Sequence, residues 1–575
     1  MSRTYCIAEM NFIDVTALAD ATEQSEDNQD IGNLALFDTQ TEQVPYGTLE
    51  HNLFALNGSK NEVPDNPEDI AFWSSLRSGK ECLFSDNPVI DITFSKQHSS
   101  AGITLYFAED YPTELKITWY SLAGTKIEDK TFYPDDLICV CRNQVLDFGR
   151  LKIEFIQTRM PYSYVKLQRI MYGLYLTWED DRIQSAKVQE EIDLTSATLS
   201  INKAEVSIVD ETNDFDIGNE NGAWKSVQKM QGVRLTEYKD GELIPLGTFF
   251  MDEHSFKDNV ASFSLIDSIG LMDKHTFYDG EVYSNVKAGV ILEKIFQCAG
   301  VAYEIAEDVY NTLLTGHLPI KSCRVALQSV CFACGAVADD SRSSIVKIYK
   351  PDRYVKSMVG INRKFSGKTK IALDDYVSGV CIECNSYALE DKTVQLHKDV
   401  LPVGDTMITF SNPCVVNELV VSAGTIKEAH PNYVIVTMTE EAECIITGKK
   451  YVANKFVYQK NVERLQANEV ENIKKFGTCT LYNSLLLKDN AERLLNHFNL
   501  RKKVDMKYLL ELEQVGNWAN VQEVGGNVST TVIESQTIDL TGGFISDASC
   551  RGYSIVVTEN FYTGTELYAG GGGLL

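Results

Sequence analysis

Two cysteine pairs carry the spacing that metal sites use. Cys331–Cys334 and Cys381–Cys384 are both CxxC, and four such thiolates can hold a tetrahedral zinc. The 46 residues between the pairs, 335–380, are far from ribbon spacing. The first pair shares a helical apolar face with Leu327 and Val330. The second falls on a strand-like run, where i and i+3 point to opposite faces. Free cysteine is among the most buried residue types, so all four are expected in the core, with no metal and no cofactor. The eight histidines (His51, His98, His254, His275, His317, His397, His430 and His497) form no HExxH. Asp252, Glu253 and His254 read as a charged strand end. Asp210, Asp214, Asp216 and Glu220 give one polar loop the composition of a calcium site, but no register meets the EF-hand ligand order. No GxSxG, GxxxxGK or post-strand GxGxxG occurs. No catalytic residue is assigned, and the chain is not expected to be an enzyme.

Binding chemistry is the other option. Trp73, Tyr106, Tyr111, Trp119, Tyr120, Tyr162 and Tyr164 lie near turns of a strand-rich region. Aromatic faces stack on sugar rings and on partner side chains. Alternation turns Trp119 and Tyr106 into a core. Tyr111, Tyr162 and Tyr164 are the candidate glycan or partner contacts, with a structural role preferred over sugar binding because no clear polar cluster flanks them.

The elements that position these residues are mostly strands. Residues 88–95, 102–108, 114–121, 126–133, 151–157 and 163–178 alternate apolar and polar side chains, as in PVIDITF and LKIEFI. Strands at short, even spacing without helices read as a β-sandwich of the jelly-roll kind over 46–178, after an acidic, weakly patterned segment 1–45. A second β block covers 179–280. The period then changes to 3.6: Ala288, Ile291, Leu292, Ile295, Phe296 and Ala299 share a helix face that stops at Gly300, and 323–334 is a helix between Ser322 and Gly335. Residues 281–354 are therefore an α/β block. Strands return over 355–480, among them 379–387, 391–397, 414–424, 432–438 and 441–452. A third helix spans about 484–499. Closing strands follow within 481–552, and 553–575 is a Gly-rich tail. The fold class expected is mainly β with minor α, in several domains.

Composition limits the role. Lys+Arg 53 against Asp+Glu 81 gives a net charge of −28. Phosphate backbones need basic partners, so no stable nucleic-acid binding is expected. No apolar run reaches the roughly 18 residues of a membrane span. The opening MSRTYCIAEMNF lacks a secretory pattern, and 14 cysteines inside apolar runs fit assembly in a reducing cytoplasm.

Several stretches, taken in order, resemble one family. TLEHNLFALNGSKNEVP (48–64), NPVIDITFSKQHSSAGITLYF (87–107), YPTELKITWY (111–120) and MPYSYVKLQRIMYGL (160–174) are similar to a discoidin- or carbohydrate-binding-like sandwich module of prophage tail proteins. IPLGTFFMDEHSFKDNVASFSLIDSIGLMDK (244–274) resembles the Gly-Thr-Phe strand pair of phage tail hubs. The helices at 288–301 and 324–338, the strand at 343–351 and VIESQTIDLTGGFISDASCRG (532–552) follow in the hub order. The resemblance implies a baseplate hub of a phage or phage-tail-like particle. It implies a homotrimer in which each chain supplies two tail-tube-like β-barrels, 179–280 and 355–480 with the closing strands of 481–552, braced by 281–354. A channel for DNA or effector passage follows from the ring. Tail tube and distal tail proteins, the tape measure protein and tail spike or fibre proteins are the implied partners, and the virion tail is the implied location. The competing readings are a surface glycan-binding adhesin, which would need an export signal, and a glycoside hydrolase, which would need a large α/β domain.

Overall fold

A computed structural model describes residues 4–30, 32–38, 50, 70–179, 181–211, 213–219, 224, 230–465, 469–524 and 526–555. The chain is mainly β, in several packed units. Among the described residues, no helix is long and apolar enough to cross a membrane.

The sandwich is one bent seven-stranded sheet. Its two long strands, Val89–Phe107 and Ile138–Thr158, run antiparallel through both layers. Register shifts between Thr93 and Gly102 mark where they bend. One half carries Pro112–Tyr120 and Lys126–Phe132, and the other carries Lys166–Met171 and Phe72–Trp73. Ile92, Leu105, Trp119, Ile153 and Ile170 from the two halves meet in one buried core.

The segment expected to be weakly patterned contributes to both neighbours. Thr4–Ile13 is a strand pairing with Gly173–Trp178 and Gly232–Lys239. Its inward residues Cys6, Ala8 and Met10 are small or soft, which is why the hydrophobic signal is faint. Asp14 and Asp20 then hold His98 of the sandwich, at 3.0 and 2.9 Å. The strand expected as 163–178 divides at Tyr172: Lys166–Met171 stays in the sandwich and Gly173–Trp178 enters a larger sheet.

That larger sheet has 13 strands. Seven belong to the first block: Gly173–Trp178, Thr4–Ile13, Gly232–Lys239, Glu242–Lys257, Val260–Ile266, Lys203–Val209 and Ile183–Glu191. Six belong to the second: Val528–Asp539, Ile545–Ile555, Lys502–Leu509, Lys364–Leu373, Trp518–Gln522 and Val355–Val359. Ile183–Glu191 joins them, pairing antiparallel with Val528–Asp539 from Lys187↔Asp539 to Glu191↔Ser535. One hydrophobic core runs under both blocks, with Val188, Phe263, Val504 and Ile538 in a single cluster.

The strands expected to complete a second barrel over 355–480 divide among three places. Only Val355–Val359 and Lys364–Leu373 enter the large sheet. Gly379–Leu389, Tyr451–Asn461 and Ile473–Cys479 form a separate three-stranded sheet. The rest, 394–448, fold as two small three-stranded sheets around Leu401, Ile408, Val434, Val436 and Ile446. Each set satisfies its own apolar face, so alternation alone could not separate them. The stretch 414–424 is a short 3₁₀ turn, Val416–Glu418, and a two-residue strand, Val420–Val421. Asn432 ties this unit to the α/β block by donating from Nδ2 to the carbonyls of Gly280 and Leu318, at 2.9 and 3.0 Å.

The helices are where periodicity puts them. Ala288–Ala299 ends at Gly300 with φ 65°, and Cys323–Cys334 runs from a Ser322 N-cap to Gly335 with φ 67°. Both glycines take the left-handed conformation that a side chain would strain. Leu487–Phe498 packs Ala491, Leu494 and Leu495 against Phe332, Val380 and Ile382.

Candidate functional site

Tyr111, Tyr162 and Tyr164 lie at one end of the sandwich. Three loops meet there: Ser78 N–H donates to the Ser163 carbonyl at 2.9 Å, and Ala108 N–H to the Lys166 carbonyl at 3.0 Å. Tyr162 is 49% exposed, with the Arg77 guanidinium 5.7 Å from its ring centre. Arg159 stands 5.2 Å from the Tyr111 ring centre and pairs with Asp110 at 2.7 Å. Tyr164 is different. Its ring meets Trp73 edge-on at 6.0 Å and its N–H donates to Glu50 at 2.7 Å. Glu50 also pairs with buried Lys166, whose ammonium is pushed down by burial. So Tyr162 faces outward beside Arg77, Tyr111 is half-buried with its ring packed against the sandwich core under Arg159, and Tyr164 belongs to the supporting layer. Trp119 is in the core at 1% exposure, whereas Tyr106 is half-buried beside Arg169. The polar groups missing from the sequence reading are Arg77, Arg159 and Asp110. They come from loops far apart in the chain, and no local motif marks them.

The cysteine pairs sit apart. Cys331 and Cys334 face the helical core, where burial pushes both thiols up, Cys334 to about 12. Cys384 lies across from Cys479 on the neighbouring strand, in a different cluster. In the acidic loop, Asp210 accepts the Phe215 N–H at 2.8 Å and Asp214 reaches Arg142 of the sandwich at 2.8 Å. Asp216 accepts the Gly218 N–H at 2.9 Å, and Glu220 lies outside the described residues. Among the described residues, no three His, Cys, Asp or Glu side chains gather as a metal site.

No family model matches the chain, and no curated protein matches it. Solved structures similar to it include three tail proteins. One is the 43 kDa tail protein of prophage MuSo2 from Shewanella oneidensis, 10% identical over 64% of this chain and 93% of that one, with a TM-score of 0.37. A second is a tail protein from Neisseria meningitidis, at 10%, 64%, 92% and 0.37. A third is a prophage tail protein from Listeria monocytogenes, at 7%, 65%, 91% and 0.37. At that TM-score each is a similarity and nothing more.

The densest polar arrangement is where the two strand blocks meet the α/β block. Glu190, 1% exposed, accepts from Arg342 Nε at 2.9 Å and from Gln536 Nε2 at 2.6 Å. Arg342 Nη2 donates to the Glu513 carbonyl at 2.6 Å, and the Glu513 carboxylate receives two hydrogen bonds from Arg363, at 3.0 and 2.7 Å. Arg363 holds the Glu513 carboxyl below the usual range despite burial. Beside this network, Asp267 caps the turn Ser268–Met272, accepting from Gly270 N–H at 2.7 Å and Asn202 N–H at 2.6 Å. Burial and the Asp340 carboxylate push Asp267 well up.

Asp339 supplies a pH test of this region. It accepts from Ser341 N–H at 2.9 Å, and burial raises its carboxyl to about 6. A folded value above the unfolded one of about 3.9 means that its contribution is intact below pH ~4 and is lost as pH rises through about 6. Asp339→Asn, which keeps the shape, is therefore expected to gain on the wild type by up to roughly 3 kcal/mol between pH 4 and pH 7. Urea unfolding at the two pH values checks this, and an unchanged difference refutes it.

Proposed function

We propose that this chain is a structural baseplate component of a phage or phage-tail-like particle: a hub of which three copies close a ring between the tail tube and the host-contacting proteins. The observation that carries this is the pairing of Ile183–Glu191 with Val528–Asp539, which joins both tube-like blocks edge to edge in one sheet. Blocks meant to stand side by side around a channel need that continuity. Among the described strands the sheet also has three unlike ends, Lys364–Leu373, Gly173–Trp178 and, on a branch, Val355–Val359. Lys364–Leu373 exposes Phe365, Ile371 (47%) and Leu373 (70%). An apolar edge strand is a template for another chain. Lys368 and Lys370 on it repel a second copy of the same strand, which favours a different edge as partner and hence a heterologous, ring-forming contact.

The sandwich stands beside this sheet and offers Tyr162, with Arg77 and Arg159 near it, to a neighbouring protein or a surface glycan. The acidic net charge suits a ring through which DNA passes without being held. A particle reconstruction is expected to show three copies, and six or twelve would overturn the trimer. Ile371→Asp with Leu373→Asp, both at exposed positions, is expected to leave the circular dichroism spectrum unchanged and abolish incorporation into particles. Wild-type incorporation of this variant would place the contact elsewhere.

A further inference from the structure

A cavity of about 470 Å³ lies between the helix Cys323–Cys334 and the strand Ile473–Cys479. Its walls include Val325, Ala326 and Phe332, with the polar Gln328 and Ser329, on the helix side and Phe476, Gly477 and Cys479 on the strand side. Lys321 and Lys475 stand at its rim. Among the described residues, no Asp or Glu lines it, in a chain with 81 acidic residues. Neither lysine has an ion-pair or hydrogen-bond partner among the described side chains, whereas lysines elsewhere do, such as Lys294 with Glu281 at 2.7 Å and Lys502 with Glu523. Two unneutralised ammoniums at the mouth of a partly apolar cavity, with Phe332 and Phe476 in its wall, are complementary to an apolar group flanked by carboxylates.

The strand side adds a second feature. Ile473–Cys479 is an outer strand of its three-stranded sheet, bonded in parallel to Gly379–Leu389 alone. Alternate N–H and C=O groups of such a strand point away from the sheet. A bulge opposite Glu383 puts Gly477 and Thr478 against one residue of the partner, beside the cavity. A Cβ built on Gly477 meets nothing within 4 Å, so the glycine leaves room there that the protein itself does not fill. An outer strand and a helix that line one partly apolar cavity match the geometry by which an extended peptide adds as a strand and seats alternate side chains.

We propose that this groove binds an extended acidic segment of another protein, which adds as a fourth strand along Ile473–Cys479. One apolar side chain of that segment fills the cavity, and its flanking carboxylates meet Lys321 and Lys475. This does not depend on the hub reading, since the groove is built from the α/β block, the sheet beside it and Ala197 of the first block, and uses no free end of the large sheet.

The test uses the full chain and two panels of fluorescein-labelled heptapeptides. Both vary the central residue among Val, Leu, Ile, Phe and Tyr, one in an Asp/Glu frame and one in a Lys frame. At least one acidic-frame peptide is expected to bind at submillimolar concentration, with the lysine frame binding on the order of tenfold more weakly or not at all. Lys321→Glu with Lys475→Glu, both at exposed sites, is expected to weaken binding by on the order of tenfold or more and to reduce its salt dependence. Gly477→Val should leave the fold intact and block binding. Hydrogen exchange should slow at amides within 473–479 when the acidic peptide is bound. Failure of every acidic peptide, equal binding of the lysine frame, indifference to either variant, or binding without protection at 473–479 would each overturn the proposal.

Discussion

Glu190→Ala is expected to cost about 3–5 kcal/mol, the range for removing one partner of a buried ion pair. The carboxylate is 1% exposed on the strand that joins the two blocks, and it holds Arg342 Nε at 2.9 Å. Alanine leaves that guanidinium without its counter-ion and leaves Gln536 Nε2, which donates to Glu190 at 2.6 Å, with only its longer bond to the Glu513 carbonyl at 3.3 Å. Relief by water is restricted, because Gln536 is itself 1% exposed. Glu190→Gln keeps the volume and one acceptor and should cost clearly less. The loss should appear in urea unfolding and as faster hydrogen exchange at Val528–Asp539. An alanine variant within 1 kcal/mol of wild type would show that the junction is held by its strand pairing alone.

Glu190 also shows where the sequence stops being readable. Strand Ile183–Glu191 alternates well, with Ile183, Ala186 and Val188 inward, but the next inward residue is this carboxylate. A charged residue at a core position reads as the end of a strand, so the junction strand passes unrecognised. Its partner Gln536 is 346 positions away, a distance that no local pattern spans. LKIEFI and the two glycine-stopped helices were legible because each depends on its own period and its own stop signal. The small unit at 394–448 was not separable, since its strands alternate like those around it and only pairing shows that they close on themselves. At the sandwich end, three tyrosines were visible as aromatics. Tyr164 differs from Tyr162 because Trp73 and Glu50 lie against it, and both come from segments more than 80 positions earlier in the chain. The cavity beside Ile473–Cys479 combines a helix, a loop and a strand edge, and none of the three has an unusual sequence.

Trp119→Ala is expected to destabilise the sandwich by about 3–5 kcal/mol and leave the 13-stranded sheet folded. Trp119 is 1% exposed, on a strand whose neighbours Leu115 and Ile117 enter the same core. That core and the core of the large sheet are separate clusters. The sandwich is inserted between Thr4–Ile13 and Gly173–Trp178, which are hydrogen-bonded neighbours in the large sheet. Both ends of the insertion are therefore held close together whether or not the sandwich is folded, and loop-closure cost grows only slowly with length. Thermal unfolding followed by hydrogen exchange should show amides of Val89–Phe107 and Ile138–Thr158 losing protection at lower temperature in the variant. Amides of Val260–Ile266 and Val528–Asp539 should be unchanged. The contacts that cross include Ala101 and Val140 packed into the core of the large sheet, Thr104 Oγ1 donating to the Gly173 carbonyl at 2.9 Å, His98 with Asp14 and Asp20, and Arg142 with Asp214. Equal loss of protection in both units would mean that these contacts couple them into one cooperative fold. The sandwich would then act as a brace for the sheet, not as a separable module hung beside it.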